Sequence, residues 1–196
     1  MSKFAIVFGA GGGIGNATCA MLKTQNYQVL PITRKEIDLS DDISYNKIQE
    51  LLGNAQPDLI VNCAGHFTGN IETHNTTIDV NFGSNWSIIK HYIDHLSTKP
   101  VKIIMIGSSA YREGRKNYML YAASKAALYN LWLSSSEYFQ GSNVSISLIN
   151  PVKTKTKMMD AASTKFILPE DVAEKILAMS LTVLSECVDL GYPKES

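Results

Sequence analysis

Seven consecutive residues limit what this chain can fold into: Gly9-Ala10-Gly11-Gly12-Gly13-Ile14-Gly15. A continuous apolar run, Phe4–Phe8, comes before them, as expected of a strand buried on both faces of a parallel sheet. After them, residues 14–25 place Ile14, Ala17, Thr18, Met21 and Leu22 on one helical stripe. A strand, a turn of bare backbone and a helix in that order let the chain approach a pyrophosphate closely. The first turn of the helix then supplies N–H groups and a positive dipole end. The spacing is G-x-x-x-G-x-G, on Gly9, Gly13 and Gly15.

The rest of the chain repeats the alternation. Strands are read at Gln28–Ile32, 58–62, Val101–Ile106, 145–149 and 186–190. Helices are read at 44–52, 83–96, 121–139 and from Pro169 onward. Asp41 and Asp42 are the expected caps of the first of these, Gly53 its end, and Glu170 and Asp171 suit the start of the last. The expectation is a doubly wound α/β sheet, mostly parallel, as one domain over residues 1–196. Only Thr33–Glu36 separate Ile32 from Ile37, whereas a parallel crossover needs about a dozen residues. The helix that would follow the second strand is therefore missing, and residues 37–39 are a stub or an extended loop.

Charge and length exclude several functions. Eighteen basic residues oppose eighteen acidic ones, leaving no surplus for phosphate neutralisation along a nucleic acid. No polybasic stretch points to a membrane surface, and no apolar run reaches the roughly 20 residues of a membrane helix. The start of the chain shows no leader pattern. Cys19, Cys63 and Cys187 form no CxxC pair and read as three small buried hydrophobes in a reducing, cytoplasmic compartment. His91 and His95 lie one helical turn apart, but without a supporting Glu or Cys they read as a solvated face rather than a metal pair.

Tyr121 and Lys125 also stand one turn apart, so they share a helix face. An ammonium beside a phenol favours phenolate and lowers the phenol's pKa, making Tyr121 an acid for a carbonyl oxygen or a base for an alcohol. Ser108 adds a second hydrogen-bond donor for the same oxygen, with Ser109 as the alternative if the loop to Tyr121 is one residue shorter. At the end of the second strand stand Thr33, Arg34 and Lys35, where a carboxylate would repel a 2′-phosphate. Arg34 can instead pair one through its fork, which favours NADP(H) over NAD(H).

Taken in order, the glycine turn, Asn62-Cys63-Ala64-Gly65, Asn81, Ser108, Tyr121-Ala122-Ala123-Ser124-Lys125 and Asn150-Pro151-Val152-Lys153-Thr154-Lys155-Thr156 resemble the motifs of the short-chain dehydrogenase/reductase family. The likeness runs from residue 4 to about 173. It implies a Rossmann-like fold, hydride exchange between a nicotinamide and a small carbonyl or alcohol substrate, and assembly as a homodimer or homotetramer.

It further implies that Ser108, Tyr121, Lys125 and Asn81 are catalytic, with Asn81 in a proton relay and Lys125 also on the nicotinamide ribose. Gly9, Gly11, Gly12, Gly13, Ile14, Gly15, Arg34, Asp38, Asn62, Ala64, Gly65, Pro151 and Thr156 would contact the cofactor, Asp38 near the adenine. Phe8, Cys63 and Val152 depart from the family pattern. Residues 157–168 make a short lid, which Met158, Met159 and Phe166 would line. His66 either lines the mouth of the site or is a loop histidine without a role. Trp86, Tyr92, Leu128, Leu131 and Trp132 are either core or subunit-pairing faces. The competing readings are a dinucleotide-binding protein without catalysis, and an epimerase or dehydratase. The latter would need a larger C-terminal domain than the chain has room for.

Overall fold

A computed structural model describes residues 2–67, 76–156 and 165–192. Its six strands, β1 (Phe4–Phe8), β2 (Gln28–Ile32), β3 (Leu59–Asn62), β4 (Val101–Ile106), β5 (Val144–Pro151) and β6 (Cys187–Leu190), form one sheet. The order is β2-β1-β3-β4-β5-β6 and every pairing is parallel. The helices are α1 (Gly13–Thr24), α2 (Ser44–Asn54), α3 (Thr76–Ile78), α4 (Ser84–Asp94), α5 (Met119–Tyr138) and α6 (Pro169–Ser180). None is long and apolar enough to cross a membrane among the described residues.

The two-residue period of a strand divides the core between the faces. Ile6, Phe8, Ile60, Ile103, Met105, Ile146 and Leu148 point to one side and pack with Ile48 and Leu52 of α2, Ile88, Ile89 and Tyr92 of α4, and Leu128 of α5. Ala5, Val7, Leu59, Val61, Ile104, Ile106 and Ile149 point to the other and meet Cys19 and Leu22 of α1 and Val172, Ile176 and Met179 of α6. Both faces are covered, which is why these strands read as unbroken apolar runs.

The missing crossover is real, and it leaves β2 as a sheet edge. Pro31, which has no N–H to give a ladder, is tolerated there. A single turn closed by Glu36 N–H and Ile37 N–H on the Thr33 carbonyl stands in for the helix. Ile37 and Leu39 then pass beneath as buried anchors on the α2 side of the core.

Several local expectations differ. Asp41 and Asp42 do not cap α2. Ile43 takes the cap position with no side-chain bond, and Asp41 offers only its carbonyl, to Ser44 N–H. The helix also runs past Gly53 to Asn54. Helix α4 is preceded by a π turn, Asp79–Gly83, where Ser84 N–H reaches the carbonyl of Asp79. The cause lies in side chains that claim carbonyls one turn back: Ser84 Oγ donates to Val80 O (2.7 Å), Asn85 Nδ2 to Asn81 O (3.0 Å) and Ser87 Oγ to Gly83 O (2.9 Å).

His91 is not on a solvated face. It is buried, with Nδ1 3.1 Å from Gln49 Oε1, and burial lowers its pKa. Of the cysteines only Cys19 is a buried residue; Cys63 and Cys187 are half-buried. Tyr92 and Leu128 are core, whereas Trp86 is exposed and Leu131 and Trp132 are half-buried.

Ile37→Ala is expected to cost about 2 kcal/mol, the low end for truncating a buried aliphatic side chain. The shift in denaturant midpoint measures it, and an unchanged midpoint would show that the stub after β2 does not anchor that edge.

Candidate active site

The strand order reverses direction about β1, whose neighbours β2 and β3 leave along opposite sides of the sheet. A crevice opens at the carboxyl ends there. Gly9 sits at that point with φ +71°, and a Cβ on it would lie 2.6 Å from Ala64 N. The turn after β1 thus touches the turn after β3, the Asn62-Cys63-Ala64-Gly65 element. Gly15 is equally constrained, since a Cβ there would fall 2.2 Å from the Gly9 carbonyl oxygen.

Gly11, Gly12 and Gly13 are exposed, and no side chain caps the start of α1. A Cβ on Gly13 would strike Thr156 Cγ2 at 2.8 Å, so Thr156 stands beside this helix start. A bare, open backbone turn at the end of a 12-residue helix fits a diphosphate. The segment carrying Thr156 is pinned to the start of α6 by Lys155 N–H on Ile167 O and Ile167 N–H on Lys153 O, both 2.9 Å. Lys155 Nζ lies 5.0 Å from the centroid of the Phe166 ring. Met158 and Met159 of the expected lid lie outside the described residues.

At the β2 end, Arg34 is exposed and its Nε stands 3.9 Å from Asp38 Oδ2. Ser40 N–H and Oγ donate to Asp38 Oδ1, which lowers that carboxyl's pKa. Asn62 Oδ1 accepts from Ala64 N–H (3.1 Å), while its Nδ2 donates to Ser84 Oγ (2.9 Å) and Asn85 Oδ1 (3.0 Å). Asn62 therefore shapes the wall of the crevice, with its own side chain fully committed. Burial pushes the Cys63 thiol up to about 12, so the residue that breaks the family pattern is inert at neutral pH.

On the far side of the crevice, the β4 end and α5 bring Ser108, Tyr121 and Lys125 together. Ser108 stands beside the Tyr121 phenol, whose pKa it lowers, and Ser108 Oγ accepts from Ala110 N–H (3.2 Å). Ser109 instead begins the short 3-10 turn Ser109–Arg112. Lys125 is buried, with Nζ 2.9 Å from the Ile106 carbonyl oxygen and 5.8 Å from the Tyr121 ring centroid.

The expected lowering of the phenol's pKa is not what this arrangement produces. Burial raises it, Ser108 opposes that rise, and Lys125 directs its ammonium at a carbonyl rather than at the phenol. Burial also lowers Lys125 to about 8.

Asn81 is fully buried and clamps the loop after β3. Its Oδ1 accepts from His66 N–H (2.7 Å) and its Nδ2 donates to His66 O (3.0 Å) and Ser124 Oγ (2.9 Å). Ser124 Oγ in turn donates to the Tyr121 carbonyl (2.7 Å), a link the sequence reading did not foresee. Nor did it foresee the aromatic packing. Phe67 stands edge-on to both Tyr121 (5.1 Å) and Tyr118 (5.2 Å). Tyr118, three residues ahead of Tyr121 on the same helical start, was the available signal. His66 lies beside this wall, Nδ1 3.0 Å from Thr77 Oγ1. Pro151 closes β5 as a buried residue.

The family model for short chain dehydrogenases matches residues 42–166, and a model for an RmlD substrate binding domain matches residues 3–79. An uncharacterized oxidoreductase of Staphylococcus aureus (strain MW2) is 24% identical, over 89% of each chain. The bifunctional ribulose 5-phosphate reductase/CDP-ribitol pyrophosphorylase of Haemophilus influenzae is 29% identical over 92% of this chain and 40% of its own length. A short chain dehydrogenase from Burkholderia cenocepacia, solved in complex with NADP, superposes with a TM-score of 0.84 at 19% identity, covering 98% of this chain and 90% of that one. The chain belongs to the short chain dehydrogenase family, and so is an NAD(P)-dependent oxidoreductase.

Lys125 titrates near 8 in the folded chain against 10.5 in the unfolded one. Between those values the unfolded chain holds the extra proton, so Lys125 costs less stability as pH rises from 8 towards 10.5. Below 8 both states are charged and the cost is constant. Relative to Lys125→Met, the wild type is expected to gain about 3 kcal/mol across that window. Denaturant midpoints measured at pH 7.5, 9 and 10 check it; a difference that does not vary with pH would refute a desolvated lysine.

Proposed function

We propose that the protein is an NADP(H)-dependent carbonyl reductase or alcohol dehydrogenase, with Ser108, Tyr121 and Lys125 as its catalytic residues and Asn81 as support. The observation that carries this is the placement of Ser108 beside the Tyr121 phenol, with Lys125 one turn further along the same helix and its Nζ 5.8 Å from the Tyr121 ring centroid. The exposed glycine turn on the opposite side of the crevice supports it. NADP(H) rather than NAD(H) is favoured by Arg34 at the β2 end and by the NADP complex of the Burkholderia structure.

In this reading the turn over Gly9–Gly15 holds the diphosphate against the first turn of α1. Arg34 takes the 2′-phosphate and Asp38 borders the adenine. Asn62, Ala64 and Gly65 wall the adenosine side, while Pro151 and Thr156 border the nicotinamide. The bound nicotinamide supplies the hydride. Tyr121, protonated at neutral pH as any phenol is, donates its proton to the carbonyl oxygen. The Ser108 hydroxyl gives that oxygen a second hydrogen bond. Lys125 Nζ, once turned from the Ile106 carbonyl, lowers the cost of leaving a phenolate.

Asn81 fixes the His66 backbone on one side and, through Ser124, the Tyr121 backbone on the other, so the acid and the wall beside it move as one piece. We place self-association as a dimer or tetramer on α4 and α5, where Trp86 and Leu133 are exposed; light scattering reads it.

Tyr121→Phe is expected to lower turnover by at least about 10²-fold, the share of a general acid, while the NADPH dissociation constant stays within about twofold. Turnover would be followed by NADPH absorbance against aldehydes, simple ketones and ribulose 5-phosphate, the last because the Haemophilus relative bears that reductase name. Full activity in the variant would refute the assignment. NADPH binding by the wild type with no turnover across the panel would favour the reading as a binder without catalysis.

A further inference from the structure

The turn after β2 has to hold a phosphate-seeking arginine without the helix that normally backs it. Thr33 and Glu36 supply the backing. The Glu36 carboxylate accepts from Thr33 N–H (2.8 Å) and from Thr33 Oγ1 (2.6 Å) through one oxygen, Oε2. Thr33 Oγ1 accepts from Lys35 N–H (3.2 Å), and the Thr33 carbonyl receives Glu36 N–H and Ile37 N–H. This is half of a capping box on a single turn: the carboxylate reaches back to Thr33 N–H, while the Thr33 hydroxyl takes Lys35 N–H instead of that of Glu36. Its two projecting residues are Arg34 and Lys35.

The turn also has a fixed place relative to the diphosphate cradle. Ala10 N–H bonds the Ile32 carbonyl at 3.1 Å, and a Cβ on Gly11 would meet Thr33 Cγ2 at 3.8 Å. On its far side, Ile37 is buried in the core. Arg34 is braced from one direction by Asp38, leaving its side chain 72% exposed. Arg34 also joins burial in lowering the pKa of the His66 imidazole.

We propose that Glu36 is a positioning residue for coenzyme selection: through Thr33 it holds the turn that presents Arg34 to the 2′-phosphate of NADPH. This rests on the NADP(H) reading above. Glu36 makes no contact with the coenzyme, and as a carboxylate near a phosphate it would repel it. Its contribution is the geometry of the turn, and the hydrogen bonds, not the charge, are what matter. Glu36→Gln keeps an oxygen that accepts both Thr33 donors and drops the repulsion. Glu36→Ala keeps neither bond.

The test is NADPH and NADH binding to the full chain by cofactor fluorescence, for wild type, Arg34→Ala, Glu36→Ala and Glu36→Gln, with thermal unfolding of each as a fold control. Glu36→Ala is expected to bind NADPH about five- to tenfold more weakly, the scale of a lost cap, with NADH unchanged within about twofold. Glu36→Gln should match the wild type or bind NADPH slightly tighter. An NADPH:NADH ratio in Arg34→Ala equal to that of the wild type would overturn the NADP(H) reading itself. A ratio that falls in Arg34→Ala but holds in Glu36→Ala would overturn the role of Glu36 alone. Equal weakening of both coenzymes in Glu36→Ala, or a loss in Glu36→Gln as large as in Glu36→Ala, would also overturn it.

Discussion

The architecture depends on how closely the chain can approach itself where β1 ends. Gly9 at φ +71° brings its backbone against Ala64, and Gly15 brings the first turn of α1 against the Gly9 carbonyl. The β1 turn, the start of α1 that follows it directly and the β3 turn much further along the chain are stacked with no room for a methyl group between them. A Cβ at either position requires main chain to move, because the neighbouring atoms are backbone and cannot rotate away. The same compression leaves Gly11, Gly12 and Gly13 exposed, with Gly12 N–H closing the turn on the Gly9 carbonyl. Closeness inside the turn and openness outside it are one geometric fact.

Opposite that cradle the chemistry is concentrated in polar groups that the fold has taken out of water. Lys125, Asn81 and Ser124 are each nearly or fully buried: Lys125 donates to the Ile106 carbonyl, Asn81 bonds the His66 backbone and Ser124 Oγ, and Ser124 donates to the Tyr121 carbonyl. No carboxylate contributes to the Lys125 shift, which comes from burial alone. A buried lysine with a carboxylate partner would be held charged and stationary. One that answers only to a carbonyl is cheaper to redirect towards a phenolate or a ribose hydroxyl. Burial acts on Tyr121 in the same way, favouring the neutral form of its phenol.

Much of this was legible in the residues because the strands are covered on both faces and so read as plain apolar runs. β1, β2 and β4 have the bounds that Phe4–Phe8, Gln28–Ile32 and Val101–Ile106 suggest. The missing crossover followed from counting four residues. What failed was local and polar. The π turn around Asn81 depends on where Ser84 and Asn85 send their side chains, which a periodicity argument over residues 83–96 does not weigh. His91 looked solvated by its chemistry, yet Gln49 on a neighbouring helix satisfies it in the interior. The phenol's shift was misjudged because proximity on a helix face says nothing of where the ammonium finds its nearest oxygen, and Ile106 O was closer at hand than the phenol.

The shortened β2 edge shows how such a fold can lose a helix and still present a binding surface. A crossover helix does two things for the turn before it: it covers the sheet edge and it fixes the turn's backbone. Here the duties are separated. Ile37 and Leu39 cover the edge by burial. The Thr33–Glu36 bonds fix the backbone locally. Local hydrogen bonds at an exposed turn are worth little each. An edge held in this way rests on one turn rather than on a rigid helix behind it.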